Sequence, residues 1–167
     1  AFLESKVAAG ELGWYGISSN NFGYPESQPT ATSIASCWGA AESVSPKHHF
    51  RVVQMPMNIF ESGGALEMNN EGKTALQFCR EKGIAVIANR PFAEGAMFSR
   101  TKGKPLPGFS RELGCQSWAQ LFLKWIVSHP AVTCSIPGTR NATHVTDNLG
   151  AATGPLPDAA LRDRIRA

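Results

Sequence analysis

The stretch TALQFCREKGIAVIA, residues 74–88, decides the fold class of this chain. Residues 74–82 carry the apolar periodicity of an amphipathic helix, and Gly83 follows it as a typical helix-ending residue. Residues 84–88 are apolar throughout, as expected for a strand that is buried on both faces of a parallel sheet. A helix that runs directly into such a strand predicts an α/β protein.

The segments on either side repeat this order of helix and strand. Three more strands are predicted, at residues 12–18, 50–55 and 131–136. Five more helices are predicted, at residues 3–8, 30–41, 116–128, 141–149 and 159–166. Regular alternation predicts a parallel sheet with right-handed crossovers. Four such units fit either an open doubly wound sheet or half of a (β/α)8 barrel, which needs about 250 residues in full.

Composition predicts one domain over residues 1–167 and excludes several partners. Apolar residues make up 43% of the 167, enough for a sizeable core. The net charge of +3, from 16 basic and 13 acidic residues, comes without a basic stripe, so no nucleic acid is expected. No apolar run approaches the roughly 20 residues of a membrane span. The amino-terminal residues, with acidic Glu4, do not resemble a signal peptide.

The four cysteines predict neither a disulfide framework nor a metal site. They are Cys37, Cys79, Cys115 and Cys134, with no CxxC pair and no histidine at ligand spacing. Free thiols are typical of a reducing compartment. A cytoplasmic location is therefore expected.

The stretch SIPGTRN, residues 135–141, is the strongest candidate for ligand binding. A strand ends at Pro137-Gly138, and Asn141 is placed to cap the next helix. Such a turn holds phosphate well, because free N–H groups and the helix dipole both favour an anion. Arg140 adds donors that suit phosphate oxygens. The other interpretation is an ordinary turn with a solvated arginine.

Four regions together resemble the aldo-keto reductase family. GWYGISSN (13–20) and VVQMPMN (52–58) are similar to its fifth and sixth barrel strands. FCREKGIAVIANRPFAEG (78–95) resembles its sixth helix, seventh strand and following loop. Short strings between residues 123 and 149 resemble its seventh helix, its eighth strand and the start of its eighth helix. The matches follow the family's order over nearly the whole chain. The resemblance implies the carboxyl-terminal half of a (β/α)8 barrel and the use of NADP(H) to interconvert carbonyls and alcohols.

The same resemblance implies a nicotinamide site on the first two strands. Ser18, Ser19 or Asn20, together with Gln54, match residues that hydrogen-bond the carboxamide in the family. An amide ligand needs both a donor and an acceptor, which Asn and Gln supply. For Gln54 the competing interpretation is an incidental polar residue in a strand. Asn89 occupies the position where many family members stack an aromatic ring on the nicotinamide.

The rest of the cofactor is implied to follow the later turns. Arg90, Pro91 and Phe92 resemble the segment that crosses the pyrophosphate, although Arg90 could instead be a plain surface charge. Residues matching the 2′-phosphate, adenine and ribose contacts are Gly138, Thr139, Arg140, Asp147 and Asn148. His144 stands where the family often has a basic residue. The other interpretation of His144 is an ordinary residue of the helix surface. His48 and His49, which precede the second strand, are expected to be surface residues as well.

No catalytic residue is assigned to this chain. The family's Asp, Tyr, Lys and His lie on the first four strands, to which nothing here corresponds, and the only tyrosines are Tyr15 and Tyr24. The leading hypothesis is the cofactor-binding half of a reductase that acts on a small carbonyl substrate. The alternatives are a non-catalytic nucleotide-binding or partner-binding module, and an open four-stranded domain without nucleotide binding.

The predicted half-barrel also implies a partner. Its outer strands, residues 12–18 and 131–136, would present unpaired backbone edges. We expect a second copy, a complementary amino-terminal half or neighbouring loops to cover them.

Overall fold

The computed structural model describes all 167 residues and contains one four-stranded parallel sheet. The strands run in the order β1-β2-β3-β4, at Tyr15–Ser18, Phe50–Pro56, Ala85–Asn89 and Val132–Ser135. The helices are α1 Phe2–Ala8, α2 Ile34–Val44, α3 Gly63–Leu66, α4 Ala75–Lys82, α5 Ala96–Thr101, α6 Trp118–Val127, α7 Ala142–Leu149 and α8 Ala159–Arg166. The predicted alternation of helix and strand is confirmed.

The helix and strand of residues 74–88 form as their chemistry dictates. The Thr74 side chain accepts from the N–H of Gln77, whose own side chain accepts from the N–H of Thr74. This capping box fixes the start of α4. Gly83 ends the helix in the left-handed conformation, with φ of 65°, which glycine adopts without a steric cost. β3 begins two residues later.

Helices cover one face of the sheet. Val53, Met55, Val86 and Ala88 are fully buried there, in a core that includes Trp125 of α6. Because successive side chains of a strand point to opposite faces, Gln54, Ile87 and Asn89 lie on the other face, where they are only half-buried. That second face carries no layer of helices.

Both outer strands are open edges. The strand order leaves β1 and β4 with one neighbour each, as predicted. Exposed apolar side chains flank them: Trp14 and Ile17 at β1, Ile136 after β4, and Leu149 on α7. Unpaired edges with apolar flanks are surfaces on which another chain segment can pair.

Three predicted elements differ from the structure. The strand expected at residues 12–18 is shorter and spans only Tyr15–Ser18. The helix expected at residues 30–41 begins at Ile34, because the Ser33 side chain caps it by accepting from the N–H of Ser36. Residues before Ser33 remain in a loop, where the Thr30 carbonyl accepts from the Asn21 amide. The connection over residues 90–113 also contains the helix α5, which its prolines and glycines did not suggest.

His48 is buried, so its predicted surface position is wrong. Its ring packs edge-on against Trp38, with centroids 4.3 Å apart. Burial lowers the pKa of His48 and favours the neutral ring. His49 is half-buried, and its Nδ1 lies 2.9 Å from a carboxylate oxygen of Glu4.

Candidate functional site

A cavity of about 630 Å³ opens beside the carboxyl ends of β3 and β4. It lies between the segment that follows β3 and the turn that joins β4 to α7. Its lining residues are Arg90, Pro91, Phe92, Glu94, Gly95, Phe98, Ser117, Trp118, Ala119, Ile136, Gly138, Thr139, His144, Asp147 and Asn148. The carboxyl ends of parallel strands are where open α/β sheets and barrels bind ligands.

The structure brings two predicted segments together in this cavity. Arg90, Pro91 and Phe92 lie on one side, and the residues of the β4–α7 turn and of α7 lie on the other: Gly138, Thr139, His144, Asp147 and Asn148. His144 therefore faces the cavity, and its Nδ1 is 3.5 Å from the Thr139 hydroxyl.

The remaining predicted residues lie outside the lining. Ser18, Ser19, Asn20, Gln54 and Asn89 belong to the strand ends and to the loop after β1. Ser18 pairs in register with Gln54, and the N–H of Ser19 donates to the Gln54 carbonyl at 3.0 Å.

Arg140 also lies outside the lining. It is exposed next to Asn141, the residue that caps α7. The predicted cap is confirmed, since Asn141 Oδ1 accepts from the N–H of Thr143 at 2.9 Å. Arg140 thus stands at the rim, beside the positive end of α7.

Gln54 and Asn89 share the open face of the sheet at the carboxyl ends of neighbouring strands. Gln54 pairs with Ile87, and Asn89 follows two residues later on the same face. Asn89 Oδ1 is buried and has no hydrogen-bond partner. A buried acceptor without a donor destabilises the fold, so this atom is a candidate contact for a ligand amide.

The segment after β3 has an unusual backbone conformation. Arg90, Ala93 and Glu94 have φ values of 49°, 48° and 55°, which cost energy for residues other than glycine. Nearby side chains hold the segment: the Asn58 amide donates to the Arg90 carbonyl at 2.8 Å, and the Arg90 guanidinium pairs with Glu61 and Glu94. Backbone strain concentrates at functional sites. The strained backbone therefore makes this segment a candidate functional site, and two ion pairs hold Arg90 in the cavity lining.

The opposite wall is fixed by a network around Asp147. Its carboxylate accepts from the Ser117 hydroxyl and from Gln120 Nε2, both at 2.8 Å. Asp147 thus ties α7 to the start of α6. Ser117 and Gln120 were not predicted as site residues, and Ser117 carried only the ordinary signal of a helix cap.

Of the three aromatic residues in the cavity lining, the sequence predicted Phe92 and missed Phe98 and Trp118. Phe98 comes from the connection after β3, and Trp118 begins α6. Neither residue belongs to a stretch of sequence that resembles the family, and only the fold brings the two side chains together.

The structure brings no three metal-ligating side chains into one cluster. All four cysteines are free thiols. None of the helices has the length and apolar character needed to cross a bilayer.

Comparison with known proteins identifies the class. The model of the aldo/keto reductase family matches residues 1–163. An uncharacterized oxidoreductase of Schizosaccharomyces pombe, C215.11c, is 34% identical over 85 residues, which are 51% of this chain and 27% of the yeast protein. These are oxidoreductases. The chain belongs to the aldo/keto reductase family, whose members use nicotinamide cofactors.

Solved structures confirm the fold. The thermostable aldo-keto reductase Tm1743, solved with the inhibitor epalrestat, superposes with a TM-score of 0.65 at 20% identity. The holo form of AKR11C1 from Bacillus halodurans gives 0.60 at 18% identity. Each comparison covers 98% of this chain and 52% of the other. The chain thus spans about half the length of these barrel proteins, and the predicted half-barrel of parallel strands is confirmed.

Proposed function

We propose that this chain binds NADP(H) and is the cofactor-binding half of a reductase that acts on aldehydes or ketones. One observation carries the proposal: the cavity joins the segment at Arg90–Phe92 to the turn at Gly138–Thr139 and to α7. Those are the segments that the family resemblance assigns to the pyrophosphate and the adenosine. Their meeting in one cavity of about 630 Å³ supports a single elongated ligand.

The chemistry of these residues fits the cofactor. Phosphate oxygens would accept from the Thr139 hydroxyl and the Arg140 guanidinium at the amino end of α7. The nicotinamide carboxamide would donate to the buried, unpartnered oxygen of Asn89 and pair with the Gln54 amide on the same face. These residues bind and orient the cofactor, and the bound nicotinamide supplies the hydride chemistry.

We assign the proton donor to polypeptide outside this sequence. Tyr15 stands at the amino end of β1, away from the cavity, and its hydroxyl donates to Glu4 at 2.7 Å. A complementary four-stranded half would supply the donor and would pair with the open edges of β1 and β4. The same half would cover the open face of the sheet, which carries Gln54 and Asn89.

Calorimetric titration with NADPH, followed by a turnover assay with a generic aldehyde, tests this function. We expect binding but no turnover by the chain alone, and turnover once the complementary half is added. A chain that does not bind NADPH would contradict the proposal. Binding without turnover in either setting would favour the non-catalytic nucleotide-binding module instead.

A further inference from the structure

A second cavity, of about 310 Å³, lies between the helices α4, α6 and α8. We call it the outer pocket. Its apolar lining includes Leu76 of α4, Trp125 of α6 and Ala131, which precedes β4. The outer pocket shares no lining residue with the cavity beside β3 and β4. It is therefore a separate site from the one assigned to the cofactor.

Three arginines line the outer pocket. Arg80 lies on α4, and Arg162 and Arg166 lie one turn apart on α8. Arg80 takes part in none of the ion pairs of the structure. Arg162 is held by backbone alone, since its Nη1 donates to the carbonyls of Ser128 and Pro157 at 3.0 and 3.3 Å. Two of the three guanidinium groups thus have no carboxylate partner.

The acidic residue of the lining, Asp163, offsets only part of this charge. Its carboxylate lies 3.7 Å from Arg166 Nη2, and both side chains are exposed, where an ion pair contributes about 0–1 kcal/mol. One acidic and three basic residues leave the lining with a net charge of +2. Arginine binds phosphate and carboxylate oxygens through two parallel hydrogen bonds. The charge of the outer pocket therefore favours an anion.

His129 is a second polar feature of the outer pocket. Its ring packs edge-on against Trp125, with centroids 4.8 Å apart, and its Nε2 is buried without a hydrogen-bond partner. Burial, together with the charge of Arg162, lowers the pKa of His129 to about 4, so the ring is neutral at pH 7. The arginines therefore supply the positive charge. The unpartnered ring nitrogen is suited to a hydrogen bond with a ligand group.

We propose that the outer pocket binds a small phosphate monoester, whose phosphate pairs with Arg80, Arg162 and Arg166 and whose apolar body lies against Trp125. The charge of such a group, about −2 at pH 7, matches the lining better than a single carboxylate does. The cavity has the volume of a small-ligand site. This inference is independent of the proposed function, because the two cavities have no residue in common.

Calorimetric titration with phenyl phosphate tests the inference, with inorganic phosphate, benzoate and phenol as comparison probes at one ionic strength. We expect phenyl phosphate to bind most tightly, because it alone combines the dianionic group with an apolar body. Arg80→Gln and Arg166→Gln should each weaken its binding about three- to tenfold. In nuclear magnetic resonance spectra, phenyl phosphate should shift the ring signal of His129 and leave that of His48 unchanged.

A matched control comes from the same helix. Arg164 is an exposed arginine of α8 that does not line the outer pocket, so Arg164→Gln should keep the affinity for phenyl phosphate within twofold of wild type. Arg80 and Arg166 are also exposed, and circular dichroism checks that their variants fold. NADPH affinity should be the same in all three variants and in wild type.

Three results would overturn the proposal. The first is the absence of saturable binding of phenyl phosphate. The second is equal binding by wild type and by the double variant Arg80→Gln with Arg166→Gln. The third is binding of hexaglutamate without binding of phenyl phosphate, which would make the outer pocket a docking surface for an acidic peptide. None of these results bears on the proposed function, which the NADPH titration tests separately.

Discussion

Gln120 donates from Nε2 to both the carboxylate and the backbone carbonyl of Asp147, at 2.8 and 3.1 Å. This double contact fixes α7 relative to α6, and it leaves little room nearby: a Cβ added at Gly150 would lie 2.5 Å from the same nitrogen. The side of the cavity that α7 forms therefore depends on Gln120, a residue that does not itself line the cavity.

Replacing Gln120 should weaken both the fold and the site. Gln120→Ala leaves Asp147 with only the Ser117 hydroxyl, and we expect a loss of about 1–3 kcal/mol in the free energy of unfolding. NADPH affinity should fall as α7 loosens. Urea denaturation and calorimetry measure the two effects. The exposed Gln116 is the control, since Gln116→Ala should stay within about 0.5 kcal/mol of wild type. Unchanged values for Gln120→Ala would show that the network does not position α7.

Replacing Asn89 should stabilise the fold and weaken NADPH binding. Asn89→Leu removes a buried acceptor that has no partner, so the free energy of unfolding without cofactor should rise by about 1–3 kcal/mol. NADPH binding should weaken in the same variant, because the carboxamide contact is lost. Gln28→Leu, at an exposed position of the loop after β1, should change neither quantity by a similar amount. A variant that is less stable yet binds NADPH normally would assign Asn89 a purely structural role.

Glu4 should make stability depend on pH in the acid range. Hydrogen bonds from the Tyr15 hydroxyl and from the backbone and ring of His49 lower the pKa of Glu4 from 4.5 to about 2. The folded state therefore favours the ionised form of Glu4 more than the unfolded chain does, and ionised Glu4 stabilises the fold. Its contribution is complete above about pH 4.5 and is lost as the pH falls towards 2.

Unfolding free energies between pH 2 and 6 check this dependence. Glu4→Gln should flatten the acid limb of the wild-type curve. Glu11→Gln, which removes an exposed ion pair with Lys6 at 3.0 Å, should leave that limb nearly unchanged. Parallel curves for wild type and Glu4→Gln would refute the assigned pKa.

Two glycines should respond in opposite ways to the same substitution. A Cβ at Gly63 would lie 1.9 Å from the Gly23 carbonyl oxygen, so Gly63→Ala must displace backbone and should cost about 1–3 kcal/mol. Gly39 is exposed within α2 and has open space around its Cβ position. Gly39→Ala should therefore stabilise the protein by about 0.5–1 kcal/mol. Denaturation curves of both variants decide the matter, and a tolerated alanine at Gly63 would contradict the close approach.

The sequence predicted those features that depend on local chemistry. The sequence predicted the bounds of the strand after Gly83 to within one residue, because a short apolar run between a helix end and a polar loop is typical of a buried strand. The Asn141 cap was also predicted, because asparagine directly before a helix satisfies a free N–H group. The alternation of strands and helices fits both an open sheet and a half-barrel. Only the resemblance to the family favoured the half-barrel.

Features that depend on distant contacts were missed. His48 has the polarity of a surface residue, yet Trp38 ten positions earlier encloses it. Phe98 and Trp118 carry no motif, and only the packing of both rings against Phe122 of α6 brings them into one cavity. The left-handed conformation of Arg90 has no sequence signal either, since Asn58 and Glu61 from the preceding loop hold it.

Hydrogen–deuterium exchange of the chain with and without NADPH tests the central claim most directly. A single dinucleotide that bridges the two sides of the cavity should slow exchange together at residues 90–95 and 138–149, with one shared dependence on NADPH concentration. Slowed exchange in only one of these segments, or none in either at saturating NADPH, would contradict the account.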